Sequence, residues 1–276
     1  MNAWLNALRA RFGRRALLVV ALVVVVVLTL GVLRAFVGLG GADPAWERLQ
    51  RDGVLRVGMD ASFPPFEVEQ EGHFSGLDVD LAAALAARWG VEVRFVNVHF
   101  DGLYDALRAD KFDLIISALP YDRTMTRDVA YSVSYYDAGQ VLLTGGDAVT
   151  NLAELEGGRC GVELGSEAHQ LVRRLARDRG LEIEVVPLRE AAELPGRLLA
   201  GEVDGVVCDR LSAHDWMARW PDLRLAGSPL TSDPYVIAAL PSSPELLRQV
   251  NLALEEWRAS GYLRELQDRW FRTPAP

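Results

Sequence analysis

The sequence predicts an α/β protein of two similar lobes, and three observations carry the prediction. Residues 76–119 read as helix, strand, helix and strand, ending in an apolar strand that carries Ser117 at its tip. A second stretch closes in the same way. ALRADKFDLIISA (106–118) and RLLAGEVDGVVCD (197–209) both pass from an amphipathic helix through a short turn to Asp and an apolar strand. Strands that alternate with helices build a mainly parallel sheet, here one for each copy. Ligands of such open sheets lie beyond the carboxyl ends of the strands. Ser117–Ala118 and Cys208–Asp209 are therefore candidates for two sides of one cleft.

Ahead of this region, residues 16–33 (ALLVVALVVVVVLTLGVL) hold 18 uncharged positions, 14 of them Leu or Val. At about 1.5 Å per residue they span roughly 27 Å as a helix, close to the hydrocarbon thickness of a bilayer. Arg9, Arg11, Arg14 and Arg15 precede the segment and no acid does, which keeps the N-terminus in the cytoplasm. Residues 1–42 are thus expected to form a cytoplasmic stub and a transmembrane or signal-anchor helix. The length of the segment and Arg34 directly after it favour an uncleaved anchor over a signal peptide cut near Gly40–Ala42. Either way the folded part is extracytoplasmic, periplasmic or at the cell surface, and an uncleaved anchor would tether it to the cell membrane.

From Asp43 onward the chain carries 24 Arg and Lys (29 less the five before that point) against all 38 acids, a net charge of −14. Such a surface disfavours nucleic acid and anionic membranes as partners. Cys160 opens one apparent strand and Cys208 closes another. In neighbouring parallel strands those ends are too far apart for the roughly 7 Å Cα limit of a disulfide, so two buried thiols are expected. The four histidines, at 73, 99, 169 and 214, have no metal-ligand spacing, and neither a metal nor a cofactor is expected.

The elements follow in order. GLGGADPA (38–45) reads as a flexible lead, 55–59 as a strand, and DASFPPFEVEQEGHFSG as an irregular loop in which Pro64 and Pro65 forbid helix. Leu81, Leu85 and Trp89 mark a helix over 78–89 that Gly90 stops. Strand 91–97, helix 101–109 and strand 113–118 complete the first unit, and 139–144 is a further strand. The second unit runs through strand 159–163, helix 166–179 with Ser166 as N-cap, strand 182–186, helix 189–200, strand 204–208 and helix 210–218. PYVIAAL (234–240) is strand-like, and helices over 244–259 and 262–270 end the chain.

Six segments in this order resemble the family 3 solute-binding proteins, the polar amino-acid receptors of ABC transporters. They are VGMDASFPPFE (57–67), GLDVDLAAALA (76–86), DGLYDALRADKFDLIIS (101–117), GRCGVELGS (158–166), VDGVVCD (203–209) and ASGYLRELQDRWF (259–271). The resemblance implies a type II periplasmic-binding-protein fold: two Rossmann-like lobes joined by two crossing strands, with a small ligand clamped between them. Lobe 1 would comprise 47–138 and 239–276, and lobe 2 would comprise 139–238. It also implies delivery of the ligand to an ABC transporter permease.

Asp209, at the end of the repeated unit, is the first candidate ligand residue; the resemblance gives it the ligand's α-ammonium group, and an N-cap role is compatible. Ser166 opens a helix whose free N–H groups favour an anion such as a carboxylate. The resemblance places ligand contacts at Ser117 and Ala118, and Glu163 precedes Ser166 on its strand. It also sets Asp60 against a basic side chain and Phe63 against a flat or cationic group, a stacking contact worth about 0.5–2 kcal/mol. Phe66 reads as core. One departure stands out: counting without gaps puts Met125 where the family usually has an Arg forked onto the ligand's α-carboxylate. Three readings follow. Arg123 substitutes after a local shift, the Ser166 helix end holds the carboxylate alone, or the ligand has no α-carboxylate. The acids Asp60, Asp209 and Glu163 favour a cation, a basic amino acid first and an amine or other organic cation next. A membrane-tethered sensor domain and a cyclohexadienyl-dehydratase-like enzyme are the alternatives; no nucleophile motif supports the enzyme.

Overall fold

A computed structural model describes residues 43–146 and 149–271. The membrane segment expected at 16–33 lies outside the described residues, and no helix among those described is long and apolar enough to cross a membrane.

Pro44–Asp52 forms α1, which buries Ala45 and Leu49 on one side. The sequence reading missed this helix because it is short and follows a Gly-rich lead. Val54–Met59 is β1. The loop after it is not irregular: Ser62–Phe63 (β2), Glu67–Gln70 (β3) and His73–Ser75 (β4) make a small antiparallel sheet. Helix α2, Leu77–Trp89, buries Leu77, Leu81, Ala82, Leu85 and Ala86. Gly90 ends it in the left-handed conformation, its N–H closing on the Ala86 and Ala87 carbonyls.

Glu92–Asn97 (β5), Leu103–Arg108 (α3), Leu114–Ile115 (β6) and Ala130–Tyr131 (β7) complete the first lobe's own chain run. Its sheet has the order β5-β1-β6-β15-β7, where β15 is Ala238–Ala239. The second lobe contains Gln140–Thr144 (β9), Arg159–Glu163 (β10), Glu167–Arg179 (α4), Glu184–Leu188 (β11), Leu194–Leu199 (α5), Gly205–Asp209 (β12), Arg210–Arg219 (α6) and Arg224–Ala226 (β13). Its sheet order is β11-β10-β12-β9-β13. The two orders correspond strand for strand. In each sheet one strand, β15 or β9, runs against the other four. Both strands enter next to the ribbon in which Tyr136–Asp137 (β8) pairs with Pro234–Tyr235 (β14). The chain thus passes out along β8 into β9 and back along β14 into β15.

Pro244–Ser260 (α7) buries Leu246, Val250, Ala253, Leu254 and Trp257 in the first lobe's core. Tyr262–Phe271 (α8) ends on Phe271, whose ring lies 5.5 Å from Phe66, 5.1 Å from Tyr136 and 4.8 Å from His214 of α6. Both cysteines are buried and free. The register pairs Cys160 with Gly205, three residues short of Cys208, as the strand argument expects.

Gly76 fixes the entry to α2. It has φ 137°, and a Cβ there would stand 2.0 Å from the Phe66 carbonyl oxygen. Gly53 also has positive φ, 68°, but faces open space. Gly53→Ala is expected to cost about 1–2 kcal/mol, the left-handed penalty alone. Gly76→Ala is expected to cost at least twice that, because backbone must move, and urea unfolding of the two variants measures the difference. Equal losses would contradict this packing.

Candidate functional site

Two cavities lie at the carboxyl ends of the two sheets. One, of about 310 Å³, is lined by Asp60, Phe63, Glu67, Phe100, Ser117, Ala118, Pro120 and Tyr235 among others. Asp60 follows β1 directly and is locked by two donors: the Ser62 hydroxyl at 2.7 Å and the Phe100 N–H at 2.8 Å, one on each carboxylate oxygen. Phe63 lies parallel to the buried Phe66 at 5.6 Å and remains 40% exposed, so one aromatic face is available at the cavity. Phe66 is wholly buried, in agreement with its reading as core.

Beneath this cavity sits a buried polar network. Glu67, Asp78 and Ser117 are each at most 1% exposed. The Ser117 hydroxyl donates to Glu67 Oε1 at 2.7 Å and accepts the Asp60 N–H at 2.9 Å. Asp78 Oδ2 accepts the Ala118 N–H at 2.5 Å and the Tyr135 hydroxyl at 2.9 Å. Ala118 has φ 40°, a conformation rare outside glycine, and the Asp78 contact holds it there. Its amide is thereby taken, so Ala118 offers the cavity its methyl group rather than a donor.

Glu67 Oε2 and Asp78 Oδ1 are buried without a hydrogen-bond partner among the described residues, and each carboxyl acts on the other's titration. Two carboxyls buried side by side cannot both be ionised, so one of them holds a proton. Burial raises Glu67 well above the usual carboxylate range, and the Asp78 charge raises it further. Burial also raises Asp78, while the Ala118 amide, the Tyr135 hydroxyl and Glu67 pull it part of the way back. Glu67 therefore keeps the proton and Asp78 the charge.

The second cavity, of about 230 Å³, is lined by Gln140, Glu163, Ser166, Glu167, Ala168, Asp209, Ser212 and Trp216 among others. Asp209 caps α6: one carboxylate oxygen accepts the Ser212 N–H at 2.8 Å and the other its hydroxyl at 2.7 Å. The cap fixes the rotamer and leaves lone pairs on both oxygens. Ser166 caps α4, accepting the His169 N–H at 3.2 Å and donating to the Glu163 carbonyl at 2.8 Å. Glu167 and Ala168, whose N–H groups have no carbonyl to reach within the helix, line the same cavity.

Of the sequence candidates, Asp60, Phe63, Ser117 and Ala118 line the first cavity, and Glu163, Ser166 and Asp209 line the second. Met125 lines neither. It ends a one-turn helix at Arg123–Met125 that Asp122 caps, and it packs against the apolar cluster of Leu103, Phe112, Ile115 and Val129. Arg123 and Arg127 are exposed and line neither cavity. The sequence reading missed Glu67, Phe100, Tyr235, Gln140, Glu167, Ser212 and Trp216. Glu67 was within reach, since an acid after a Pro-Pro-Phe turn has to be placed somewhere. Tyr235 belongs to the β14 ribbon, which reaches the first cavity only through the return crossing.

The model for bacterial extracellular solute-binding proteins, family 3, matches residues 55–273. The chain belongs to this family. The ABC transporter arginine-binding protein 1 of Escherichia coli K12 is 30% identical over 223 residues, covering 79% of this chain and 90% of that protein. The L-arginine-binding protein of Pseudomonas aeruginosa is 30% identical over 231 residues, 80% of this chain and 88% of its own. Among solved structures, an ancestral cationic amino acid solute-binding protein superposes with TM-score 0.58 at 29% identity, covering 82% of this chain and 98% of its own. An ancestral cyclohexadienyl dehydratase superposes with TM-score 0.74 at 24% identity, covering 84% and 98%, and shares the fold.

The proton on Glu67 has a sign that can be tested. An acid whose folded pKa is raised stabilises the fold fully below its unfolded pKa, about 4.3 for Glu, and loses that contribution as pH rises. In the Glu67→Gln variant an amide accepts from Ser117 and stays neutral at every pH. Wild-type Tm is expected to fall relative to the variant between about pH 5 and about pH 9. A Tm difference that stays constant across this range would contradict the proton on Glu67.

Proposed function

We propose that this chain is an extracytoplasmic receptor that closes its two lobes over a basic amino acid and delivers it to an ABC transporter permease. One observation carries the reading. Among the described residues, the two cavities are lined by five acids, Asp60, Glu67, Glu163, Glu167 and Asp209, and by no Arg or Lys. Two opposed half-sites with this charge attract a cation and repel an anion. Glu67 is neutral through its proton, which leaves Asp60 as the first lobe's charged acceptor and Asp209 as the second's.

In the closed form Asp209 takes the α-ammonium group, and Asp60 takes the side-chain cation while Phe63 and Phe100 flank it. A planar guanidinium suits both an aromatic face and a carboxylate. The α-carboxylate goes to the α4 terminus at Ser166–Ala168, since neither Met125 nor Arg123 lines a cavity. The names of the arginine-binding relatives agree with this assignment. An N-terminal helix at 16–33 would hold the receptor at the membrane beside its permease.

The lack of any basic residue at the lining favours a second reading, a dicationic amine with no carboxylate. An enzyme that dehydrates an anionic cyclohexadienyl substrate would need a cationic anchor that neither cavity provides.

Calorimetric titration of the full-length chain with arginine, agmatine (arginine without its carboxylate) and glutamine separates these readings. Arginine is expected to bind at least tenfold more tightly than either of the others, and tighter agmatine binding would establish the amine reading. Binding of none of the three, or dehydration of a cyclohexadienyl substrate, would overturn the receptor. Asp209→Ala is expected to lower arginine affinity by about 30- to 150-fold, the equivalent of about 2–3 kcal/mol for a charge-assisted pair. Unchanged affinity would remove Asp209 from the site.

A further inference from the structure

A third cavity, of about 330 Å³, shares no residue with the other two. It opens beside the crossing ribbon, where Tyr136 and Asp137 of β8 form part of its wall. Three arginines from three helices line it: Arg210 of α6, Arg258 of α7 and Arg264 of α8. In a chain with a net charge of −9 this grouping is unusual.

The three cations have few protein partners. The Nε of Arg210 is buried and has no hydrogen-bond partner, a costly state for a charged donor that water or a ligand normally relieves. Among the described residues, Arg258 donates to a carbonyl, that of Ser134, and not to an acid. The one acid of the lining is Asp137, and its oxygens are already engaged. Oδ1 accepts the N–H groups of Gly139 and Asp233, both within 2.9 Å, and Oδ2 accepts the Ser232 hydroxyl at 2.7 Å. Burial works against the Asp137 carboxylate, but those donors and the Arg210 charge together hold it below the usual range.

A second feature points the same way. Leu263 and Arg264 of the lining stand in the first turn of α8, a ten-residue helix, and Gly261 caps the end of α7 just before it. The dipole of α8 adds positive potential at this end of the pocket, where Leu263 and Arg264 are part of the lining. Gln267, one turn further, spends its amide on the Tyr135 carbonyl and so fixes the wall.

We propose that this pocket binds a small oxyanion carrying two negative charges, held by Arg210, Arg258, Arg264 and the start of α8. Arg210 belongs to the second lobe, whereas Arg258 and Arg264 belong to helices packed on the first. The bound anion would therefore tie α6 to α7 and α8 next to the ribbon that joins the lobes. Planar guanidinium forks suit such an oxyanion better than they suit chloride.

Inorganic phosphate is the probe, added to the full-length chain against sodium chloride at equal ionic strength. Phosphate is expected to raise Tm and to titrate as one saturable site by calorimetry. Arg264→Gln, at an exposed position, is expected to weaken phosphate at least tenfold, and the Arg258→Gln, Arg264→Gln double variant to abolish it. Arg173→Gln, an exposed arginine on α4, should leave it unchanged, and circular dichroism confirms that each variant is folded. Three results would each overturn the site: no Tm rise and no saturable titration in the wild type, retained binding in the double variant, or equal loss in Arg173→Gln.

Discussion

The buried contact among Glu67, Ser117 and Asp78 is the constraint on which the first half-site depends. Three segments distant in sequence meet there: the small sheet after β1, the first turn of α2 and the tip of the β6 run. Ser117 accepts the Asp60 N–H and donates its hydroxyl hydrogen bond to Glu67, so the backbone that presents Asp60 is fixed from below. Asp78 holds Ala118 in a conformation that an alanine rarely adopts. Two ionised carboxylates could not sit together at this depth, because burial penalises each charge and their repulsion adds to it. One proton, on Glu67, removes the repulsion between them.

That arrangement shapes the electrostatics of the cleft. Because Glu67 is neutral, the first cavity presents one fixed negative charge, at Asp60, rather than several mobile ones. The second presents Asp209, held by the helix it caps, with Glu163 and Glu167 beside it. A capped carboxylate does not need to reorganise to meet a cation, which lowers the cost of binding. The arginines among the described residues are elsewhere: on the surface, in ion pairs, or grouped at the pocket beside the crossing ribbon.

Much of this was legible in the sequence, for identifiable reasons. The two apolar strand ends announced the repeated unit, and the two sheets have corresponding strand orders. Asp209 could be named because it ends a strand, where an open sheet exposes its carboxyl edge, and Asp60 because the family resemblance points to it. Ser166 and Gly90 followed from cap chemistry. Glu67 and Asp78 were not legible as a pair, since nothing in a one-dimensional pattern says that an acid opening a short strand and one in the first turn of a helix are both buried. Met125 was a counting inference; its side chain fills an apolar cluster that the position in the motif could not reveal. Helix α1 was lost to a glycine-rich lead, and β2–β4 to prolines that sit between strands rather than preventing them.

The central claim is that one cationic guest is held between acids contributed by both lobes. A crystal structure of the full-length chain grown with arginine tests it most directly. The account predicts arginine within hydrogen-bond distance of both Asp60 and Asp209, with the two cavities merged around it. Arginine bound to one lobe alone, or out of reach of both carboxylates, would contradict it.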